Sequence, residues 1–283
     1  MTTSLSAILK RKTAHTHIFN TAIQQKIIDL LQANFKKLAI PALSLKLFAK
    51  YHIKPKFLRS NLLVCLAPEL GYTDDPINDE RLMLYCVIIE LLHIANKIHD
   101  SINNIAANNQ YNLSLPQAIL LGDLIFTIAF EQITSIGHQE ILEQFSQSTK
   151  NIALCEAKLS ECETLDLNTI ILLIEQKQWP LFNNIIFFLE QYSKADPIII
   201  SVIKNINSIN VRSKLLQTNI TLPPILHDFL YLNKKNTQII NTDMQSVIAD
   251  TKVNIQQYWN SRSNTSNHKI IDELNNLLTI ASN

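Results

Sequence analysis

With 283 residues, 47% of them hydrophobic and only 17% charged, the chain can build a large core, and its low charge leaves much surface to be covered by the fold or by another subunit. A net charge of +1 gives neither the basic footprint of a nucleic-acid binder nor an acidic tail. The three glycines, Gly71, Gly122 and Gly137, are too few for a phosphate-binding loop or a dinucleotide fingerprint.

In chain order, apolar residues at helical spacing (Ile23, Ile27, Leu30, Leu31, Phe35) predict an amphipathic helix over 18–39. Pro41 suits the first turn of a second helix, to about Tyr51. Lys54 to Ser60 reads as a basic turn ahead of an apolar helix over 61–70 that Gly71 ends. Asn78 is placed to cap a long central helix over 79–105, followed by a polar connection. Ser114, Pro116 and Gln117 supply the N-cap, first-turn proline and capping-box residue of the next helix. A helix over 141–163 offers Phe145, Ile152, Leu154 and Leu159 to the core. Asp166 opens a helix that Pro180 is expected to kink or interrupt, and 181–192 is apolar nearly all round, hence core or interface. Asp196-Pro197 opens a further helix, and helices over 239–259 and 268–280 complete the chain. No period-two alternation and no repeat are present, so the chain reads all-α.

No apolar run reaches about 18 residues without a polar break, so no membrane span is expected. The first apolar piece precedes Lys10-Arg11-Lys12, the reverse of a secretory signal. Cys65, Cys86, Cys155 and Cys162 form no Cys-x-x-Cys pair and read as buried free thiols of a cytoplasmic protein. Cys155 and Cys162, with Glu156 and Glu161 between them, fit no common zinc spacing; they read as small buried residues beside exposed acids.

Chemistry concentrates in one stretch. Glu90, His93 and Lys97 are spaced i, i+3, i+7 and share a helix face inside an otherwise apolar run. Such a stripe is costly unless its groups are satisfied at a surface or something binds them. The order Glu90-x-x-His93, then His99-Asp100, then Gly122-Asp123 resembles the first aspartate-rich region of the trans-isoprenyl (polyprenyl) diphosphate synthases. The resemblance runs from about Lys54 to Leu226 and includes Lys56-Phe57-Leu58-Arg59, Lys177-Gln178 followed by Leu181-Phe182, and Thr221-Leu222-Pro223.

The resemblance implies a single-domain isoprenoid (terpenoid) synthase fold over 1–283, and a dimer formed with itself or with an active prenyl synthase through the helix that follows Gly122-Asp123. It implies that Lys56, Arg59 and His93 hold a diphosphate such as that of isopentenyl diphosphate, or pyrophosphate. Arg would grip it as a fork, Lys as a point charge and His as a switchable donor. Asp100, Asn104 and Lys177 would be what is left of the allylic site, with Asp100 a weak Mg²⁺ ligand at best.

The departures are chemical. Ser101 and Asn104 stand where the family has aspartates. From Pro197 to His227 there is no Asp or Glu, and Asn205-Ile206-Asn207-Ser208 takes the place of the second aspartate-rich motif. Mg²⁺ wants anionic oxygen ligands, and one lost carboxylate at 4 Å removes about 4 kcal/mol of attraction at an effective dielectric near 20. The expectation is a catalytically impaired, non-catalytic or regulatory member. The alternative is an active prenyltransferase that condenses isopentenyl diphosphate with an allylic diphosphate through an altered Mg²⁺ site.

Overall fold

The computed structural model of the protein describes residues 21–23, 25–30, 32–33, 57–67, 72, 79–100, 114–161, 166–191, 196–217, 234–260, 275–276 and 278–279. Among them the structure is all-α: α1 (Leu58–Leu66), α2 (Glu80–Asp100), α3 (Leu115–Ile136), α4 (Gln139–Glu161), α5 (Leu167–Glu190), α6 (Pro197–Leu216) and α7 (Lys234–Asn260). Helical residues between 21 and 33 bury Ile23 and Ile27, as their spacing predicts.

Helix α2 lies at the centre because it is apolar almost all round; α1, α3 and α5 pack on it. Helix α4 packs on α5, α6 on α5, and α7 on α6. In the interior Tyr85 stacks between Phe145 and Phe188, with ring centroids 5.2 and 4.3 Å away. Its hydroxyl donates to the Asn184 carbonyl at 3.1 Å, and the Asn184 side-chain oxygen accepts from Ser148 and Gln144. This small polar layer ties α2, α4 and α5 together where apolar packing alone would leave the tyrosine hydroxyl unsatisfied.

Several helix ends follow the sequence chemistry. Gln117 accepts from the Ser114 N–H at 3.0 Å, Asp166 from the Thr169 N–H at 3.0 Å, and Asp196 from the Ile198 N–H at 2.8 Å. The central helix is capped by Asp79, which accepts from the Leu82 N–H at 2.8 Å. The expected cap Asn78 lies outside the described residues, as do 101–113, Gly71, Cys162 and 218–233.

Three expectations change. Helix α1 starts at Leu58, so Arg59 and Ser60 belong to its first turn and not to the preceding one. Leu154 is 49% exposed, because the buried stripe of α4 runs Ile141, Phe145, Ser148, Ile152, Cys155, Leu159 and passes it by. Helix α5 continues through Pro180 to Glu190, so of the expected kink or interruption the interruption does not occur. Interior proline costs about 3 kcal/mol, but beyond it Phe182 and Phe188 are fully buried, each contributing about 2–3 kcal/mol.

Two helices, α2 and α3, are long and apolar enough to cross a membrane by length and composition alone, a test that a core helix also passes. The apolar surface of α2 is largely buried in the bundle; that of α3 is only one-third buried.

Candidate functional site

The polar stripe of α2 faces α1, and the first contact explains the Glu. Glu90 is buried, and its Oε1 accepts from both the N–H of Ser60 (3.3 Å) and the hydroxyl of Ser60 (2.8 Å). A carboxylate from another helix thus does the work of an N-cap for α1, whose own N-cap residue, Phe57, offers no side-chain bond. Phe57 sits at φ 40°, a left-handed conformation that a bulky residue adopts only under constraint. The constraint is visible in the burial of its ring and in the Glu90–Ser60 latch three residues on.

This geometry fixes Arg59. The residue is 3% exposed, with its guanidinium 4.8 Å above the Phe182 ring of α5. It is therefore no solvated surface arginine. Burial raises the pKa of Glu90 from 4.5, while Arg59, Ser60 and Lys97 pull it back without cancelling the shift. Burial, followed by the charges of Arg59, Lys97 and Lys214, holds His93 well below 6.5. His93 is thus a neutral ring at physiological pH, a hydrogen-bonding group and not the cation that its place among basic residues suggests.

Two turns beyond His93, Asp100 meets Lys177 of α5 at 2.5 Å. The same ammonium pairs with Glu156 of α4. Lys177 is 12% exposed and Asp100 30%. Burial opposes the charge of Lys177, yet Asp100 and Glu156 raise its pKa overall; burial raises that of Asp100 despite Lys177. Asp100 and Lys177, both named in the sequence as remnants of an allylic site, are in contact here; Glu156, which carries no motif signal, joins them through the packing of α4 on α5. Beside them, His99 Nε2 is 3.4 Å from Asp123 Oδ1, and the imidazole lies against Gly122, where an added Cβ would stand 1.9 Å from the ring. Glycine leaves the room in which α3 approaches the imidazole as it stands.

Helix α6 closes the other side. Asn207 donates to the Glu175 carbonyl at 3.3 Å, and Asn210 and Lys214 both donate to Gln178 Oε1, at 3.0 and 3.3 Å. Ser208 donates to Glu175 at 2.6 Å, and Arg212 pairs with the same carboxylate. The face expected to replace a metal-binding motif is thus an amide and lysine face bonded to α5.

No family model and no curated relative matches the sequence. Solved structures do. An isoprenoid synthase family member from Thermotoga neapolitana superposes with a TM-score of 0.69 at 18% identity, over 93% of this chain and 99% of that one. A geranylgeranyl pyrophosphate synthase from Lactobacillus brevis gives 0.70 at 17%, over 96% and 99%. A polyprenyl synthase from Caulobacter crescentus, complexed with calcium and isoprenyl diphosphate, gives 0.60 at 17%, over 99% and 98%. The protein has the isoprenoid synthase fold.

Within the isoprenoid synthase fold, Arg59, His93, Asp100 and Lys177 occupy described positions on α1, α2 and α5, while Lys56 and Asn104 lie outside the described residues. Mg²⁺ is the ion this fold family implies. The described donors do not fit it: Asp100 is bonded to Lys177, the amides of α6 are bonded to α5, and Lys214 stands on the same face. No group of three His, Cys, Asp or Glu gathers among the described residues.

Proposed function

We propose that this protein is a polyprenyl diphosphate synthase-like member of isoprenoid metabolism that binds a prenyl diphosphate or pyrophosphate and acts as a non-catalytic or regulatory subunit. The observation that carries the reading is Lys177, whose ammonium occupies Asp100 and Glu156 while α6 offers no carboxylate. Departure of an allylic diphosphate needs strong stabilisation of its charge, and these residues leave little to anchor a metal for that purpose. Lys56, Arg59 and His93 are the proposed diphosphate donors, with Arg59 already held in place. Asn104 and Asp100 are relics of the metal site.

The partner is a second copy or an active prenyl synthase. Its support is the face of α3, where Leu115, Ile119 and Leu120 are 43%, 41% and 68% exposed. A cytoplasmic setting is supported by the free thiols Cys65, Cys86 and Cys155 among the described residues. The test is incubation of the pure protein with isopentenyl diphosphate and dimethylallyl, geranyl or farnesyl diphosphate in Mg²⁺. No product is expected. Product that disappears in Asp100→Ala would establish the alternative, an active prenyltransferase with an altered metal site.

A further inference from the structure

The interior of the bundle is not one continuous apolar core. Among the described residues the buried apolar side chains of the helices fall into two sets. The larger takes in α1, α2 and α3 with the first part of α4, the second part of α5 and the first part of α6. The smaller includes Leu159, Ile170, Ile174, Val211, Leu215 and Ile240, where the end of α4, the start of α5, the end of α6 and the start of α7 meet. Among the described residues Leu216, half-buried, is the one apolar side chain that packs against both. A polar belt lies between them. It falls between Ile152 and Leu159 on α4, between Ile174 and Leu181 on α5, and between Ile206 and Leu215 on α6. Lys177 bonds Asp100 of α2 at 2.5 Å and pairs with Glu156 of α4. Glu175 pairs with Arg212 and accepts from Ser208 at 2.6 Å, and Gln178 accepts from Asn210 at 3.0 Å. The belt is incompletely satisfied: Arg212 Nε and Asn207 Oδ1 are buried and find no hydrogen-bond partner among the described residues. Just past it on α5, Pro180 has no N–H to give the Gln176 carbonyl one turn back, so the helix lacks a bond at the same level.

We propose that the smaller core opens by itself, with 167–174 of α5 and 211–216 of α6 losing their helix while the main bundle stays packed, and that this opening releases Asp100 from Lys177. A cooperative unit is bounded where few apolar contacts cross, and the belt is such a boundary. Parting the two cores uncovers mainly polar groups that water can solvate. Ion pairs that are mostly buried roughly repay their desolvation and add little net stability. The missing bond at Pro180 lets the loss of helix on α5 stop there, before Phe182 and Phe188 of the main core are disturbed. In the closed form the small core holds the Lys177 ammonium on Asp100, at the end of the polar stripe of α2. Access to that carboxylate is then set by a local equilibrium of the fold, whatever the stripe binds.

The experiment is native-state hydrogen exchange of the full chain, read by mass spectrometry of its peptides. Segments 167–174 and 211–216 are expected to exchange together, at least about tenfold faster than 181–189 of α5. Ile133→Val trims the main core only. It should speed exchange of 181–189 about threefold to tenfold and leave 167–174 unchanged, because the main core is packed in both the closed and the opened form. Lys177→Met should speed 167–174 about thirtyfold, since its ion pairs exist only in the closed form. Pro180→Ala restores the bond to the Gln176 carbonyl and should slow 167–174 about tenfold. Equal exchange of 167–174 and 181–189 in the wild-type protein overturns the separate opening, as does equal acceleration of both in Ile133→Val. Unchanged exchange of 167–174 in Lys177→Met shows that the pair with Asp100 survives opening and overturns its release. Should Lys177→Met fail to fold, unchanged exchange of 167–174 in Pro180→Ala does the same, because the opening then stops short of the belt.

Discussion

Glu90 is a residue whose role is hidden in one dimension and plain in three. In the sequence it is part of a Glu-x-x-His pattern; in the fold it caps the helix that carries Arg59. Its raised pKa means that the folded state favours the protonated form. The stability this contributes is present below the unfolded carboxylate range and is lost as pH rises through the raised folded value. Glu90→Gln keeps an acceptor for Ser60 and removes the buried anion, so it should flatten that part of the pH profile and leave the protein at least as stable at pH 7. Ser60→Ala should instead cost about 1–3 kcal/mol, because it strips a bond from a buried acceptor. Urea midpoints measured across pH 4.5 to 8 separate the two. His93 acts with the opposite sign: its lowered pKa makes stability fall as pH drops below 6.5, and His93→Gln should remove that acid sensitivity. Lys177 is the third residue with a decided role. Lys177→Met leaves Asp100 and Glu156 facing each other with no cation between them. Loss of one partner from a fully buried pair costs about 3–5 kcal/mol, but Asp100 is 30% exposed, so about 2 kcal/mol is expected in chemical denaturation.

At the scale of helices, what could be read from the sequence is what local chemistry decides. Ser114 with Gln117, Asp166 and Asp196 each cap the helix that follows, and Ile23, Ile27 and Phe145 fall on buried stripes. What could not be read is what a distant element decides. Helix α1 begins three residues early because its cap comes from α2, thirty positions away. Helix α5 passes Pro180 because the apolar burial beyond the proline outweighs it. Of the candidate site, Asp100 and Lys177 were legible as motif residues, but their ion pair, and the parts of Glu156 and Lys214, came only with the packing of α4, α5 and α6. The contact of α2 with α3 yields its own prediction. Gly122→Ala gains about 1 kcal/mol of helix propensity but drives a Cβ into the His99 ring, which must swing off Asp123 and Phe126. Net stability should change by less than about 1 kcal/mol, while the His99 ring resonances shift in NMR spectra. Gly122→Leu has no such escape and should destabilise by about 2–3 kcal/mol, since overpacking strains both helices.

For the whole molecule the open question is what covers α3. Its hydropathy equals or exceeds that of the core helix α2, yet most of its most apolar window stays outside the bundle. Leu115, Ile119 and Leu120 stand on one side of its first turns, and Phe126 and Phe130 are only partly covered further along. A monomer rarely leaves a continuous apolar patch of that kind in water, and the 17% charge of the chain gives it little polar surface to dilute the patch. The arrangement suits the core of a two-fold interface, in which the same helix meets its own copy or the equivalent helix of a related subunit. An obligate pair of this type buries roughly 2,000 Å² or more. Light scattering after size exclusion is therefore expected to return twice the 32.3 kDa mass of the chain. Leu120→Lys, at the most exposed of these positions, places a charge in the middle of the patch without touching the bundle core. It should convert the pair to monomers while leaving far-ultraviolet circular dichroism unchanged. A protein that runs as a monomer at micromolar concentration, and that fails to co-purify with a prenyl synthase of the same cell, would refute both the pairing and the subunit role built on it. A dimer that Leu120→Lys leaves intact would move the interface to another face and leave the exposed leucines of α3 without a partner.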